Sequence, residues 1–243
     1  MRNNEIKETY RFKADLHVHT KPVSKCAEIP VKETIDLYAE AGFDSIVLVN
    51  HFNRHTLDKE RGKTKKELIS YYLSDYKEAK SYGKTRGVEV ILGLEMRFTE
   101  NINDYLVYGI TESDVSKAYD FIDGEYPEFY KSFKNEDNLI LQAHPFRDKM
   151  VLQDANLLDG IEVYNMHPNH NSRVALAAKF ASIHPDFIIT GGTDFHHPGH
   201  QAMCALRTKE KIKTSKQLAK ILKSGDYVFE IWGNIIIPRQ REE

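Results

Sequence analysis

Short apolar runs recur along the chain, separated by segments whose apolar positions fall three or four residues apart. The runs at residues 12–17, 45–49, 88–94, 105–109, 139–143, 160–164, 187–190 and 227–231 predict strands. Between them the period lengthens. Val31, Ile35 and Tyr38 recur at helical spacing and stop before Gly42, a residue suited to closing a helix. A longer helix is expected over 65–84. Another is expected over 171–182, with Val174, Ala177, Ala178 and Ala181 on one side, and Ser215 as the cap of a last helix through Leu222. Strand alternating with helix is the signature of a parallel sheet, and a barrel is its expected closed form. The 105–109 run follows 88–94 closely, so the alternation is imperfect there. No repeat or Pro/Gly/Ser-rich linker divides the chain. One domain over residues 1–243 is expected, with a short exposed start and a charged end at 239–243.

Charge narrows the reading. With 34 Lys and Arg against 36 Asp and Glu, the net charge is −2. That balance gives no support to nucleic-acid or membrane-surface binding. Cys26 and Cys204 form no CxxC pair, which suits a reducing cytosol rather than a disulfide framework. The first thirteen residues lack the apolar centre of a signal peptide, and no apolar run is long enough to span a bilayer. A cytoplasmic protein is therefore expected. The unusual feature is eleven histidines, because of where they fall.

The first expected strand ends in Asp15-Leu16-His17-Val18-His19, and the second in Asn50-His51. The third ends in Gly93-Leu94-Glu95, and the fifth runs into His144-Pro145. The sixth ends in Tyr164-Asn165 and continues to His167 and His170, and the seventh ends in Thr193-Asp194-Phe195-His196. In a parallel barrel the carboxyl ends of the strands converge on one face, so these side chains meet in space. Imidazole with carboxylate suits zinc, manganese or iron. Alternate strand residues point the same way, so His17 and His19 can face one ion, as can Asp194 and His196. Ordinary polar strand ends would explain one such residue but not this many together. Arg147, just past His144-Pro145, offers a bidentate fork for a phosphate, and Arg97 is a weaker candidate of the same kind. His170 is read as a site residue, either ligand or proton donor. His197 and His200 are read as ordinary loop residues.

Asp15-Leu16-His17-Val18-His19-Thr20 resembles the opening motif of the PHP (polymerase and histidinol phosphatase) superfamily. Asn50-His51 resembles its second motif, which more commonly reads Asp-His. Gly93-Leu94-Glu95, Ala143-His144-Pro145-Phe146-Arg147 and Gly192-Thr193-Asp194-Phe195-His196 are similar to its later motifs, so the resemblance runs from about residue 13 to 200. It implies a distorted (β/α)7-like barrel with two or three divalent ions, zinc, manganese or iron, at the C-terminal ends of the strands. It implies that His17, His19, Glu95 and Asp194 hold one ion. Glu95 would bridge to a second, shared with His144, and His51 and His196 would hold a third. Asp15 would then orient a ligand imidazole from outside the ion's shell. Where the family has His or Asp soon after the opening motif, this chain offers Cys26. It is either a thiolate ligand that favours zinc or a small buried filler. Where the family often has a histidine after the glutamate strand, Asp104 could substitute.

The expected activity is a metal-dependent phosphoesterase that cleaves a small phosphomonoester or phosphodiester with a metal-bound hydroxide. Arg147 would neutralise phosphoryl charge, and His196 or His170 would protonate the leaving oxygen. Two other readings stay open. One is an amidohydrolase-type C–N hydrolase using the same ions. The other is a PHP-like module that binds metal without turnover. Loops at 52–66, a candidate lid, and 198–204 are expected to set the substrate.

Overall fold

The computed structural model describes residues 3–57 and 62–238. The charged end at 239–243 and residues 58–61 of the expected lid lie outside the described residues. In chain order the elements begin with α1 (Asn3–Thr9), β1 (Phe12–Val18), α2 (Val31–Glu40), β2 (Ser45–Leu48), β3 (His51–Phe52), α3 (Arg54–Leu57) and α4 (Lys65–Arg86). They continue with β4 (Glu89–Leu92), β5 (Leu94–Arg97), β6 (Asp104–Tyr108), α5 (Glu112–Tyr119), α6 (Tyr126–Phe133), β7 (Leu139–Gln142) and β8 (Gly160–Asn165). The last are α7 (Val174–Ser182), β9 (Ile188–Gly192), β10 (Cys204–Thr208), α8 (Ser215–Ser224), β11 (Val228–Ile231) and β12 (Asn234–Ile236).

The strands form two six-stranded sheets, ordered β12-β11-β10-β1-β2-β4 and β3-β5-β6-β7-β8-β9. Two chain paths bend from one sheet into the other. β2 leads into β3 across Val49-Asn50, and β4 leads into β5 across Gly93. β9, the edge of the second sheet, runs beside the end of β1 in the first. Phe195 N donates to His17 O at 3.1 Å, and His19 N donates to Phe195 O at 3.1 Å. Followed round, the seven paths β1, β2–β3, β4–β5, β6, β7, β8 and β9 return to their start. This is the distorted (β/α)7-like barrel that the sequence implied. β10, β11 and β12 extend β1 outward as an antiparallel flap.

Several boundaries differ from the sequence expectation for identifiable reasons. The 88–94 run is two strands, because the chain bends at Gly93. β6 runs antiparallel to both neighbours, since no crossover helix separates it from β5. β10 was not expected as a strand, because buried Arg207 interrupts its apolar pattern; that arginine is satisfied by Glu230, with Nε donating to Oε2 at 2.6 Å. The last expected strand, β11, belongs to the flap and not to the ring. The cap of α8 is Thr214, whose Oγ1 accepts from Gln217 N at 3.1 Å. Ser215 instead faces inward, accepting from Gly109 N and donating to Leu92 O, and so ties the helix to the barrel. α7 starts at Val174 rather than 171, and of its expected apolar face Ala177 and Ala181 are buried while Ala178 is exposed.

α4 shows how local chemistry fixes an element that the site needs. Thr64 and Glu67 form a reciprocal capping box at its start, and Gly87 closes it in the left-handed region at φ 78°. Its buried face carries one carboxylate, Asp75. That group accepts from Thr20 Oγ1 at 2.8 Å, Asn50 Nδ2 at 3.1 Å and Val23 N at 3.2 Å. The helix thereby braces the loops that follow β1 and β2. It also accounts for Asn50 where an aspartate is more common, because a carboxylate there would lie against that of Asp75.

Candidate metal centre

Glu95 sits at the middle of the barrel mouth, fully buried. Its Oε1 lies 3.3 Å from His17 Nε2 and 3.2 Å from His144 Nε2. Its Oε2 lies 3.3 Å from His19 Nε2 and 2.8 Å from His51 Nδ1. Four imidazoles from three strand ends, two of them from β1, therefore converge on one carboxylate. His51 arrives there because β3 and β5 run parallel with His51 directly beside Glu95. Asp194 Oδ1 adds a second carboxylate, 3.4 Å from both His17 and His19 and 3.3 Å from His196 Nδ1. Asp194 and His144 both lie in the left-handed region, at φ 55° and 29°. Non-glycine residues adopt it at a cost and concentrate at functional sites.

Among the described residues three ligand groups could hold a metal ion: His17, His19 and Glu95; His19, His51 and His196; and His51, Glu95 and Asp104. His17 Nε2, His19 Nε2, His51 Nδ1 and Glu95 Oε2 are buried without a well-aligned hydrogen bond, although the last two lie 2.8 Å apart. Buried polar atoms are rarely left so, and a cation among them would satisfy all four. The donor set of imidazole and carboxylate fits divalent zinc, manganese or iron equally.

The electrostatics agree with a cation-binding pocket. Burial works to lower the His17 pKa, but the carboxylates of Glu162, Asp194 and Glu95 outweigh it and hold the imidazole well above its ordinary value. His51 is likewise raised against its burial, chiefly by Glu95. Burial would raise Glu95 and Asp194, yet neighbouring imidazoles hold both well below the usual carboxylate range. His196 goes the other way. Burial and the adjacent His19 push it down to about 2, which favours a neutral imidazole with a lone pair available to an ion.

Asp15 touches no imidazole ring. It accepts from His17 N at 3.1 Å, Thr193 N at 2.9 Å and Tyr38 Oη at 2.7 Å, so it clamps the backbone of the first and last motifs together. Burial raises its pKa to about 6. Asp104 joins the cluster because β6 is reversed and brings its first residue, not its last, to the mouth. There its Oδ2 lies 3.9 Å from His144 Nε2, and it also pairs with Arg97 through both oxygens. Cys26 is exposed and stands in none of the three groups, although it lies close enough to His51 to favour its charged form. Arg147 Nη2 donates to Asp194 Oδ2 and Asn165 Oδ1, each at 2.7 Å, and its buried Nε has no partner. His170 is exposed, its ring 4.5 Å from that of buried His167. His197 and His200 also surround His167, at 6.1 and 6.0 Å between rings.

Glu162 was missed. Its Oε1 lies 2.8 Å from His17 Nδ1, and its Oε2 accepts from His144 N at 3.1 Å and Asn165 Nδ2 at 2.9 Å. It is thus the carboxylate that fixes the orientation of the His17 ring, the part expected of Asp15. The sequence signal was a lone acid inside the apolar run 160–164. Glu162→Gln keeps an acceptor but removes the charge. It is expected to weaken metal binding by roughly 10–100-fold, read by competition with a chromogenic chelator. Unchanged affinity would show that His17 needs no partner.

Comparison with known proteins agrees with this geometry. A two-domain Bacteroides vulgatus protein containing a predicted PHP-like metal-dependent phosphoesterase superposes with a TM-score of 0.66 at 14% identity. The match covers 90% of this chain and 64% of that one, so this chain spans about two-thirds of its length. PsfC from Pseudomonas syringae matches with a TM-score of 0.57 at 15% identity, covering 85% of this chain and 86% of its own. An amidohydrolase from Chromobacterium violaceum, with bound sulfate and no metal, gives 0.52 at 14% identity, covering 93% and 98%. No curated protein matches the sequence. Among the described residues no helix is long and apolar enough to cross a membrane. The PHP domain family model matches residues 15–233, nearly the whole chain, and the chain belongs to that family.

Proposed function

We propose that the chain is a phosphoesterase acting on a small phosphomonoester or diester, working as a single barrel unit over residues 1–243. The observation that carries this is the ring of His17, His19, His51 and His144 around Glu95, with Arg147 at its rim. Divalent ions so held supply the charge that polarises a phosphoryl oxygen and that acidifies water to a nucleophile near neutral pH. The chain's own groups do the rest. Glu95 bridges the ligand groups. Glu162 and Asp15 hold His17 and the Asp194 turn in register. Arg147, fixed by Asp194 and Asn165, keeps its Nε donor for a phosphoryl oxygen. Exposed His170, near Arg147 and Asp194, is assigned to protonate the leaving oxygen; partial burial and Arg147 hold its imidazole below the ordinary value, so this step is favoured toward acid pH.

The test is metal content of the purified protein together with phosphate release from a panel of small phosphoesters, for wild type and His17→Ala. Two or three ions per chain, with phosphate release lost in the variant, are expected. C–N hydrolysis is the second reading, raised by the amidohydrolase neighbour. Bound metal with amide cleavage and no phosphate release would establish it instead. No metal under any loading condition would sink both.

A further inference from the structure

A cavity of about 410 Å³ opens directly beside the metal cluster. His51, a member of two ligand groups, lies in the wall it shares with the cluster, and Lys25, Arg54 and Arg97 furnish its charge. Among the described residues no acidic side chain lines it. The carboxylates that pair with its arginines, Asp123 with Arg54 and Asp104 with Arg97, are not part of the wall. Arg54 is held further by Tyr119, whose Oη lies 3.1 Å from Nη1 and whose ring lies 5.3 Å from the guanidinium. Two arginines are thus fixed in place by partners behind them. Lys25 is exposed and has no ion-pair partner among the described residues. Such a cavity selects negative charge.

Its size bears on which part of a substrate it takes. The volume lies within the roughly 300–1,000 Å³ range of small-molecule sites, far more than one phosphoryl group needs. The phosphoryl group itself is accounted for by the ligand cluster and Arg147. We propose that this cavity receives the organic part of the substrate, and that this part carries a second anionic group, a carboxylate or a phosphate, held by Lys25 with Arg54 and Arg97. The substrate class is then a phosphoester doubly anionic at separated positions. This rests on the phosphoesterase reading.

The experiment uses phosphonates, which bind without being turned over. Phenylphosphonate, 4-carboxyphenylphosphonate and 1,4-phenylenebisphosphonate are titrated calorimetrically into the metal-loaded protein and into Lys25→Glu. At least one of the two doubly anionic probes is expected to bind ten-fold or more tighter than phenylphosphonate, and which one separates carboxylate from phosphate. Lys25→Glu is expected to erase that preference and to leave phenylphosphonate within about two-fold. Equal binding of all three overturns the proposal. So does a Lys25→Glu effect as large on phenylphosphonate, which would make the cavity part of the phosphoryl site. A preference in binding without phosphate release from the matching esters would leave the subsite standing and remove the phosphoesterase reading instead.

Discussion

Glu95→Gln is expected to lower phosphate release by more than the roughly 100-fold that loss of an outer-shell partner costs, with loss of about one bound ion per chain. Glu95 belongs to two of the three ligand groups, and each of its oxygens faces two imidazoles. Glutamine fits the same space but carries no charge, and its amide nitrogen brings a donor where two ring nitrogens need an acceptor or a cation. The attraction that holds His17 and His51 above their ordinary pKa weakens with it. Breaking a buried ion pair costs about 3–5 kcal/mol when the remaining charge cannot leave. Here the imidazoles can shed a proton, so the cost falls mainly on metal binding and less on stability. Replacing His196 removes a member of one group only, and its effect is expected to be smaller. Metal analysis and phosphate release, with thermal unfolding as a check on folding, measure this. A Glu95→Gln protein with full metal content and more than a tenth of wild-type activity would remove Glu95 from the centre of the site.

The prominence of Glu95 could be read before any coordinates, because it ends an apolar run, as do His17, His51, His144 and Asp194. A barrel turns sequence-distant strand ends into neighbours, so a rule about strand ends finds these residues. The same rule passes over what lies elsewhere. Glu162 sits within β8, where the inward face of the strand carries it beneath His17. Asp75 sits on a helix and acts through Asn50 and Thr20. Asp104 could not be aligned because its strand is reversed, so the start of an apolar run, not its end, reaches the site. Asp15 is adjacent in sequence to the ligands but turns to backbone, since two amides and the Tyr38 hydroxyl satisfy it fully. Fold and first ligands follow from hydrophobic period; supporting carboxylates depend on strand direction and depth, which the period does not encode.

The seam between β9 and β1 ties stability to the metal centre, and Gly192→Ala tests it. A Cβ at residue 192 would lie 2.5 Å from His17 Cβ and 2.8 Å from His17 N. Neither atom is the free end of a flexible side chain, so β9 must move away from β1. That motion pulls on Thr193 N, which donates to Asp15, and on the Phe195 bonds that close the ring. The expected cost is about 3 kcal/mol or more, at the upper end for overpacking. In a chain of this size that corresponds to a fall in Tm on the order of 10 °C. Gly42→Ala is the control. Gly42 has φ +72° with nothing within 4 Å of the added carbon, so only the left-handed backbone is penalised, by about 1 kcal/mol. Because Asp194 lies two residues beyond Gly192 and contacts His17, metal affinity is expected to fall in Gly192→Ala and to stay unchanged in Gly42→Ala. Equal, mild destabilisation of the two variants would mean that β9 can shift without strain. Destabilisation of Gly192→Ala with undiminished metal binding would separate the seam from the ligands it is argued to hold.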